Sequence, residues 1–99
     1  MDKDMNNYNL KKCIESIEMG YWYDTLTLLD CVLTDDPVEP EYSANTVYSR
    51  LEEIVAFQNL YFKLKVSSVA DLMQKNGYSN EDVELLMQRR IDEDKRHNQ

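Results

Sequence analysis

The sequence predicts an all-α fold: a small irregular bundle of four to five helices with a helical hairpin at the N-terminus. Three observations carry this. Apolar residues recur at three- and four-residue spacing along most of the chain. Punctuation is sparse, with two Gly and two Pro in 99 residues, whereas sandwiches and barrels need many turns. The hydrophobic fraction of 42%, with seven Tyr, two Phe and one Trp, suffices for a modest core without metals or disulfide staples. Residues 1–99 therefore read as a single helical domain, with mobile tails expected over 1–8 and 94–99.

After the polar leader, a first helix is predicted over 9–19. Leu10, Ile14 and Ile17 share a stripe with Cys13, Asn9 is the N-cap and Gly20 ends the helix. A second helix is predicted over 23–34, with Leu26, Leu29, Val32 and Leu33 on one face and Leu28 and Cys31 broadening it. Its Thr and Val content also suits a strand, but the consecutive pairs Leu28-Leu29 and Val32-Leu33 break strict alternation. Asp35-Asp36-Pro37 stops this helix, and the acidic stretch to Tyr42 is an extended connector.

A third helix is predicted over 44–65, with Ser43 as N-cap and Val47, Leu51, Ile54, Val55, Tyr61 and Phe62 inward. Phe57, Leu60 and Leu64 widen its apolar surface beyond one stripe, as in a helix central to a bundle or shared with a partner. A short helix over 68–76 buries Val69, Leu72 and Met73, with Gly77 at C′ and Tyr78 packing back. The last helix, over 80–93, opens on Ser79-Asn80-Glu81-Asp82, which has the form of a capping box. Its face is Val83, Leu86, Met87 and Ile91, and acids at its start with Arg89 and Arg90 near its end suit the helix dipole.

Charge is the most distinctive feature. The chain carries a formal charge of -8. Residues 1–42 hold ten acids and three bases, residues 43–99 nine acids and eight bases. No Lys, Arg or His occurs between Cys13 and Ser49, where Glu15, Glu18, Asp24, Asp30, Asp35, Asp36, Glu39 and Glu41 lie. Such a field attracts a basic partner and repels nucleic acid. Tyr21, Trp22, Tyr23 and Tyr42 bracket the base-free stretch. Three consecutive aromatics cannot all point inward, and an exposed Tyr beside carboxylates suits Arg and Lys through stacking and charge-assisted hydrogen bonds. Trp22 is the one expected in the core. The candidate partner-binding residues are thus Glu15, Glu18, Tyr21, Tyr23, Asp24, Asp30, Asp35, Asp36, Glu39, Glu41 and Tyr42.

Other chemistries find little support. His97, the only histidine, lies near the end of the chain, and no Ser or Cys has an evident base partner. Glycine-rich phosphate loops are absent, and the acidic connector lacks the turn Gly of a calcium loop. Cys13 and Cys31 lack a nearby His for zinc. They read as small buried side chains, the sharper alternative being a disulfide across the hairpin. No enzyme, metal or cofactor is expected. The N-terminus has no apolar run behind a basic start, and no stretch approaches the roughly 20 apolar residues of a spanning helix. The expectation is a cytoplasmic protein that makes no membrane contact.

Three partial resemblances complete the reading. Gly20-Tyr21-Trp22-Tyr23-Asp24, then Leu29, Val32 and Asp36-Pro37, resembles the second helix of a tetratricopeptide repeat. Asn9, Lys12, Cys13 and Ser16 stand where that family's first-helix signature would be, so this reads as convergence on a helical hairpin. Val69 to Met73, the turn Asn76-Gly77-Tyr78-Ser79 and the helix after it resemble a helix-turn-helix. The second helix, however, starts Asn80-Glu81-Asp82-Val83-Glu84, which repels phosphates. The same stretch is similar to ubiquitin-associated domains in Gly77-Tyr78 and Leu85-Leu86, without their third helix.

The function expected from the sequence is non-catalytic. An acidic binding module or inhibitor would dock on a basic protein, in its sharpest form by mimicking nucleic acid, as small acidic inhibitors of phages and mobile elements do. The rival is a helical adaptor or assembly subunit that binds through an apolar helix face, self-association included. A DNA-binding regulator ranks third.

Overall fold

The computed structural model describes residues 2–34 and 43–97, with side chains from 8 to 34 and from 43 to 96. These residues form four α-helices and no strand: α1 (Asp2–Leu33), α2 (Ala44–Phe57), α3 (Val69–Lys75) and α4 (Asn80–His97). A π-helical turn, Gln58–Phe62, continues α2. The all-α class holds, and the N-terminal hairpin is the antiparallel pair α1 and α2.

The hairpin does not turn where the sequence suggested. Gly20 lies inside α1, and Gly77 is the only described glycine with a positive φ. Leu10, Ile14, Ile17, Tyr21, Leu28 and Val32 keep one helical phase through Gly20, whereas a turn would reset it. A glycine inside a helix costs only about 1 kcal/mol, which 31 other helical residues absorb. The Oγ1 of Thr25 donates to the Tyr21 carbonyl at 2.7 Å and that of Thr27 to the Tyr23 carbonyl at 3.2 Å, so both hydroxyls are satisfied inside the helix. The helix also begins at Asp2, so Asn9 is not a cap. Cys13 and Cys31 stand on this one helix, 18 residues or about 27 Å apart, which excludes a disulfide between them. Cys13 is exposed rather than buried.

The core is small and assembled from all four helices. Leu28, Leu29 and Val32 come from α1; Val47, Leu51 and Ile54 from α2; Leu72 and Met73 from α3; Val83 and Leu86 from α4. Trp22 packs half-buried against it, as expected. Val66 enters from the segment before α3. The Asn59 amide brackets it, donating from Nδ2 to the Val66 carbonyl at 2.7 Å and accepting from the Val66 N–H at 2.8 Å.

Local chemistry sets most helix ends. Ser43 Oγ accepts from the Thr46 N–H, Ser68 Oγ from Asp71 and Ser79 Oγ from Asp82. The Asp82 carboxylate returns a bond from the Ser79 N–H, completing the capping box. Gly77, at φ 93, ends α3 in a Schellman turn: its N–H reaches the Gln74 carbonyl and the Tyr78 N–H the Met73 carbonyl. The helix predicted over 44–65 stops at Phe62, because Lys63 turns left-handed (φ 53, ψ 38) and Lys65 follows at φ 53. Tyr61, expected inward, is half-exposed, since the π turn rotates it off the buried face of α2.

α1 is about 48 Å long. The molecule measures 59 × 25 × 24 Å, and its radius of gyration of 15.9 Å exceeds the ~13 Å usual at this length. The N-terminal part of α1 overhangs the core. Leu10 is 59% and Ile17 51% exposed, so the stripe expected to be buried there lies open.

Candidate functional site

The sequence candidates divide among three places. Glu18, Tyr21 and Asp24 gather where α1 crosses α2. Tyr23, 75% exposed, and Asp30 stand on another side of α1. Asp35, Asp36, Glu39, Glu41 and Tyr42 lie outside the described residues. Glu15 is beside Lys12 at 3.9 Å, an i,i+3 pair with both side chains largely in water and so of little energetic weight.

The first group lines a groove. Tyr21 stands at the junction of three continuous depressions. One, of about 310 Å³, has Ile17, Ile54 and Phe57 as its floor and Glu18 and Glu53 at its edges. A wider one of about 530 Å³ runs past Arg50 and Glu53 toward Asn45. A third, of about 380 Å³, passes Gly20 between Tyr21 and the Asp24–Arg50 pair. The groove exists because α1 and α2 diverge here. Thr25 is the last fully buried residue of α1 before the overhang, while α2 keeps Ile54 buried one turn further on.

Two polar contacts fix its walls. Arg50 Nη1 lies 3.0 Å from the Asp24 carboxylate, clamping α1 to α2. Gln58 Nε2 donates to Glu18 Oε1 at 2.6 Å, so the Glu18 carboxylate is held at the rim with its remaining acceptor positions open. The ring of Tyr21, 41% exposed, forms a flat apolar surface between these two contacts.

Asp30 acts elsewhere. The Tyr78 hydroxyl has its pKa raised, first by burial and then by the negative charges of Asp30 and Asp82. That places a second, smaller acidic spot at the α3–α4 turn.

Of the α2 residues of the groove, Arg50 and Glu53 were not singled out from the sequence, whereas Ile54 was expected inward and Phe57 to widen the apolar surface of the helix. Arg50, Glu53 and Phe57 form an i, i+3, i+7 row adjoining the buried row Val47, Leu51, Ile54. Helical spacing could have found that row. Its meaning depended on knowing that α1 lies against it. The base-free stretch also loses part of its one-sidedness in space, since Arg50, the first base after it, folds back onto Asp24.

Among the described residues no His, Cys, Asp and Glu group has metal-binding geometry. An apolar floor with an aromatic face and carboxylates at its edges can take an aliphatic stem ending in a cation. Comparisons with family models, with curated proteins and with solved structures found no match. The functional reading therefore rests on this geometry. No described helix is long and apolar enough to cross a membrane.

Proposed function

We propose that the protein is a non-catalytic binding module that receives a basic element of a partner protein in the groove between α1 and α2. The observation that carries this is the apolar pocket floored by Ile17, Ile54 and Phe57 and edged by Glu18 and Glu53, next to the open Tyr21 ring. A Lys or Arg stem would lie on the floor and its cation would meet the carboxylates. Arg fits best, because its planar head also stacks on Tyr21. The formal charge of -8 would speed encounter with a basic surface. A partner surface that otherwise holds nucleic acid is the sharpest version, with this chain as its competitor.

The test is a salt-resolved pull-down with three forms of the protein: wild type, a groove variant (Tyr21→Ala, Glu18→Gln, Glu53→Gln) and Asp30→Asn as a distant control. Support requires a basic partner retained by wild type and by the control, lost by the groove variant and weakened as salt rises. Retention by the groove variant would reject the groove.

A second reading has its own support. Leu10, Ile17, Leu60, Tyr61 and Leu64 are all half or more exposed, the first two on α1 and the others in and just after the π-helical turn. This favours an assembly subunit that joins through an apolar helix face. The DNA-binding reading gains nothing comparable, since Glu81, Asp82 and Glu84 stand in the first turns of α4.

A further inference from the structure

Gly20 is a residue for which the fold itself has no use. It lies inside α1 without a positive φ, so the backbone there needs no glycine. A Cβ at that position meets nothing within 4 Å, so packing needs none either. Inside a helix a glycine is destabilising relative to alanine. What Gly20 does provide is space. Ile17, Gly20, Tyr21 and Asp24 are spaced i, i+3, i+4 and i+7 and so share one face of α1. That face is the α1 side of the depression of about 380 Å³ whose other wall is Arg50. Any other side chain at position 20 would stand up between Ile17, Tyr21 and Asp24 and fill it.

The charges beside this depression select the guest. Asp24 is matched by Arg50 at 3.0 Å. Glu18 is held by an uncharged group, the Gln58 amide, at 2.6 Å, and Glu53 lines the same pocket. Attraction for a cation is therefore concentrated at the Phe57 end of the groove, while Arg50 opposes a second cation further along. An ammonium would meet these carboxylates only as a point charge. A planar guanidinium can bond both and lie on the Tyr21 ring at once. The α2 wall runs from Asn45 to Phe57, about 18 Å of helix, which is the length of about five or six extended residues.

We infer that the guest is a short segment of a partner chain bearing a single arginine, which crosses α1 in contact with Gly20 and sets its guanidinium between Glu18, Glu53 and Tyr21. The inference rests on the groove reading above and gives that site its ligand chemistry and its point of access. Gly20 weakens α1 slightly as a helix and keeps the path over it open. It is a specificity-determining position, because it sets how closely the backbone of the guest approaches α1.

The test is an amide chemical-shift titration of the whole chain with capped five-residue peptides, alanine throughout except for a central arginine, lysine or citrulline. Peptide up to about 10 mM covers the affinity of one anchored side chain. The arginine peptide should saturate and shift the amides of Gly20, Tyr21 and Glu53. The lysine peptide should bind at least about threefold more weakly, and citrulline, nearly the same shape without the charge, at least about tenfold more weakly. Gly20→Leu should melt no lower than wild type, since leucine is the better helix former, yet weaken the arginine peptide by more than about tenfold. Gly20→Ala should weaken it less. An arginine peptide that does not saturate, that citrulline or lysine equals, or that binds Gly20→Leu as well as wild type would overturn the inference. The salt-resolved pull-down separates this outcome from failure of the groove itself. A partner lost by the groove variant but kept by Gly20→Leu would leave the groove standing and overturn the inference, whereas a partner indifferent to the groove variant would overturn both.

Discussion

The perturbation that tests the fold most directly is Glu93→Ala. The Glu93 carboxylate, on α4, accepts from the Ala44 N–H at 2.6 Å and the Asn45 N–H at 3.0 Å. Those are two of the donors that the start of α2 leaves without intrahelical partners, and Ser43 Oγ takes a third from Thr46. The side chain is therefore a cap supplied from 49 residues away, and its charge also favours the positive end of the α2 dipole. An ordinary cap contributes about 1 kcal/mol, and a hydrogen bond to a charged group about 1.5–3 kcal/mol. Ala44 is 1% exposed, so water cannot replace the lost acceptor there, whereas the Asn45 N–H lies in a half-exposed residue. Glu93→Ala should therefore destabilise by about 2–3 kcal/mol, equivalent to a melting temperature lower by roughly 10–20 °C in a chain of this size. Glu93→Gln keeps a neutral acceptor and should lose about 1 kcal/mol. The adjacent Asp94 makes an exposed 3.2 Å bond to the Asn45 side chain, and Asp94→Ala should change stability by less than about 0.5 kcal/mol. Urea unfolding followed by far-ultraviolet circular dichroism measures all three. A Glu93→Ala chain as stable as wild type, or no worse than Asp94→Ala, would refute the bridging cap.

Four further expectations concern backbone and charge. Gly20→Ala should stabilise by about 0.5–1 kcal/mol in thermal melts, because the added methyl meets no atom within 4 Å inside a helix, and a loss would put a turn back at Gly20. Gly77→Ala should do the opposite, losing about 1–2 kcal/mol at φ 93. Lys63→Gly relieves a left-handed lysine at φ 53 and should gain about 0.5–1 kcal/mol in urea unfolding after the entropy of the added glycine is subtracted, a loss meaning that the lysine side chain holds the loop. Asp71 accepts from the Ser67 backbone N–H at 3.1 Å, which lowers its pKa; partial burial opposes this and Lys75, at 3.4 Å, adds to it. With the folded pKa below the unfolded one, its contribution is present above the unfolded pKa and is lost as pH falls through the folded value. The carboxyl carbon signal of Asp71 should titrate below 3.8, and a midpoint at or above that value would contradict the Ser67 contact.

What was legible in the sequence was what a few neighbouring residues decide. Ser43, Ser79 and Gly77 could be assigned as caps because each needs only a partner within the next turn or the preceding one. The buried faces of α2, α3 and α4 were legible for the same reason, their apolar residues repeating on one side, except that Ile91, expected on the face of α4, is 46% exposed. Gly20 was misread because a helix-ending glycine and a tolerated one look alike in isolation. The unbroken phase from Leu10 to Val32 was the better guide. Glu93 could not have been found, because its role depends on α4 reaching the start of α2. The groove was half legible. Counting charges and aromatics drew attention to Glu18, Tyr21 and Asp24, while Glu53 and Phe57 needed the hairpin to be placed correctly. Of Tyr21, Trp22 and Tyr23, successive directions 100° apart required at least one to be exposed, and two are.

The overhang joins these points into one argument. Helix formation alone asks nothing apolar of positions 10, 14 and 17; Lys, Glu or Gln would serve α1 as well in water. Leucine and isoleucine there leave about half of each of Leu10 and Ile17 facing solvent. A chain that needed its apolar stripe only for its own core could have ended it at Thr25, where the fully buried part of α1 begins. The stripe instead runs on for four more turns in the same phase. A surface whose period matches the core is built like the core.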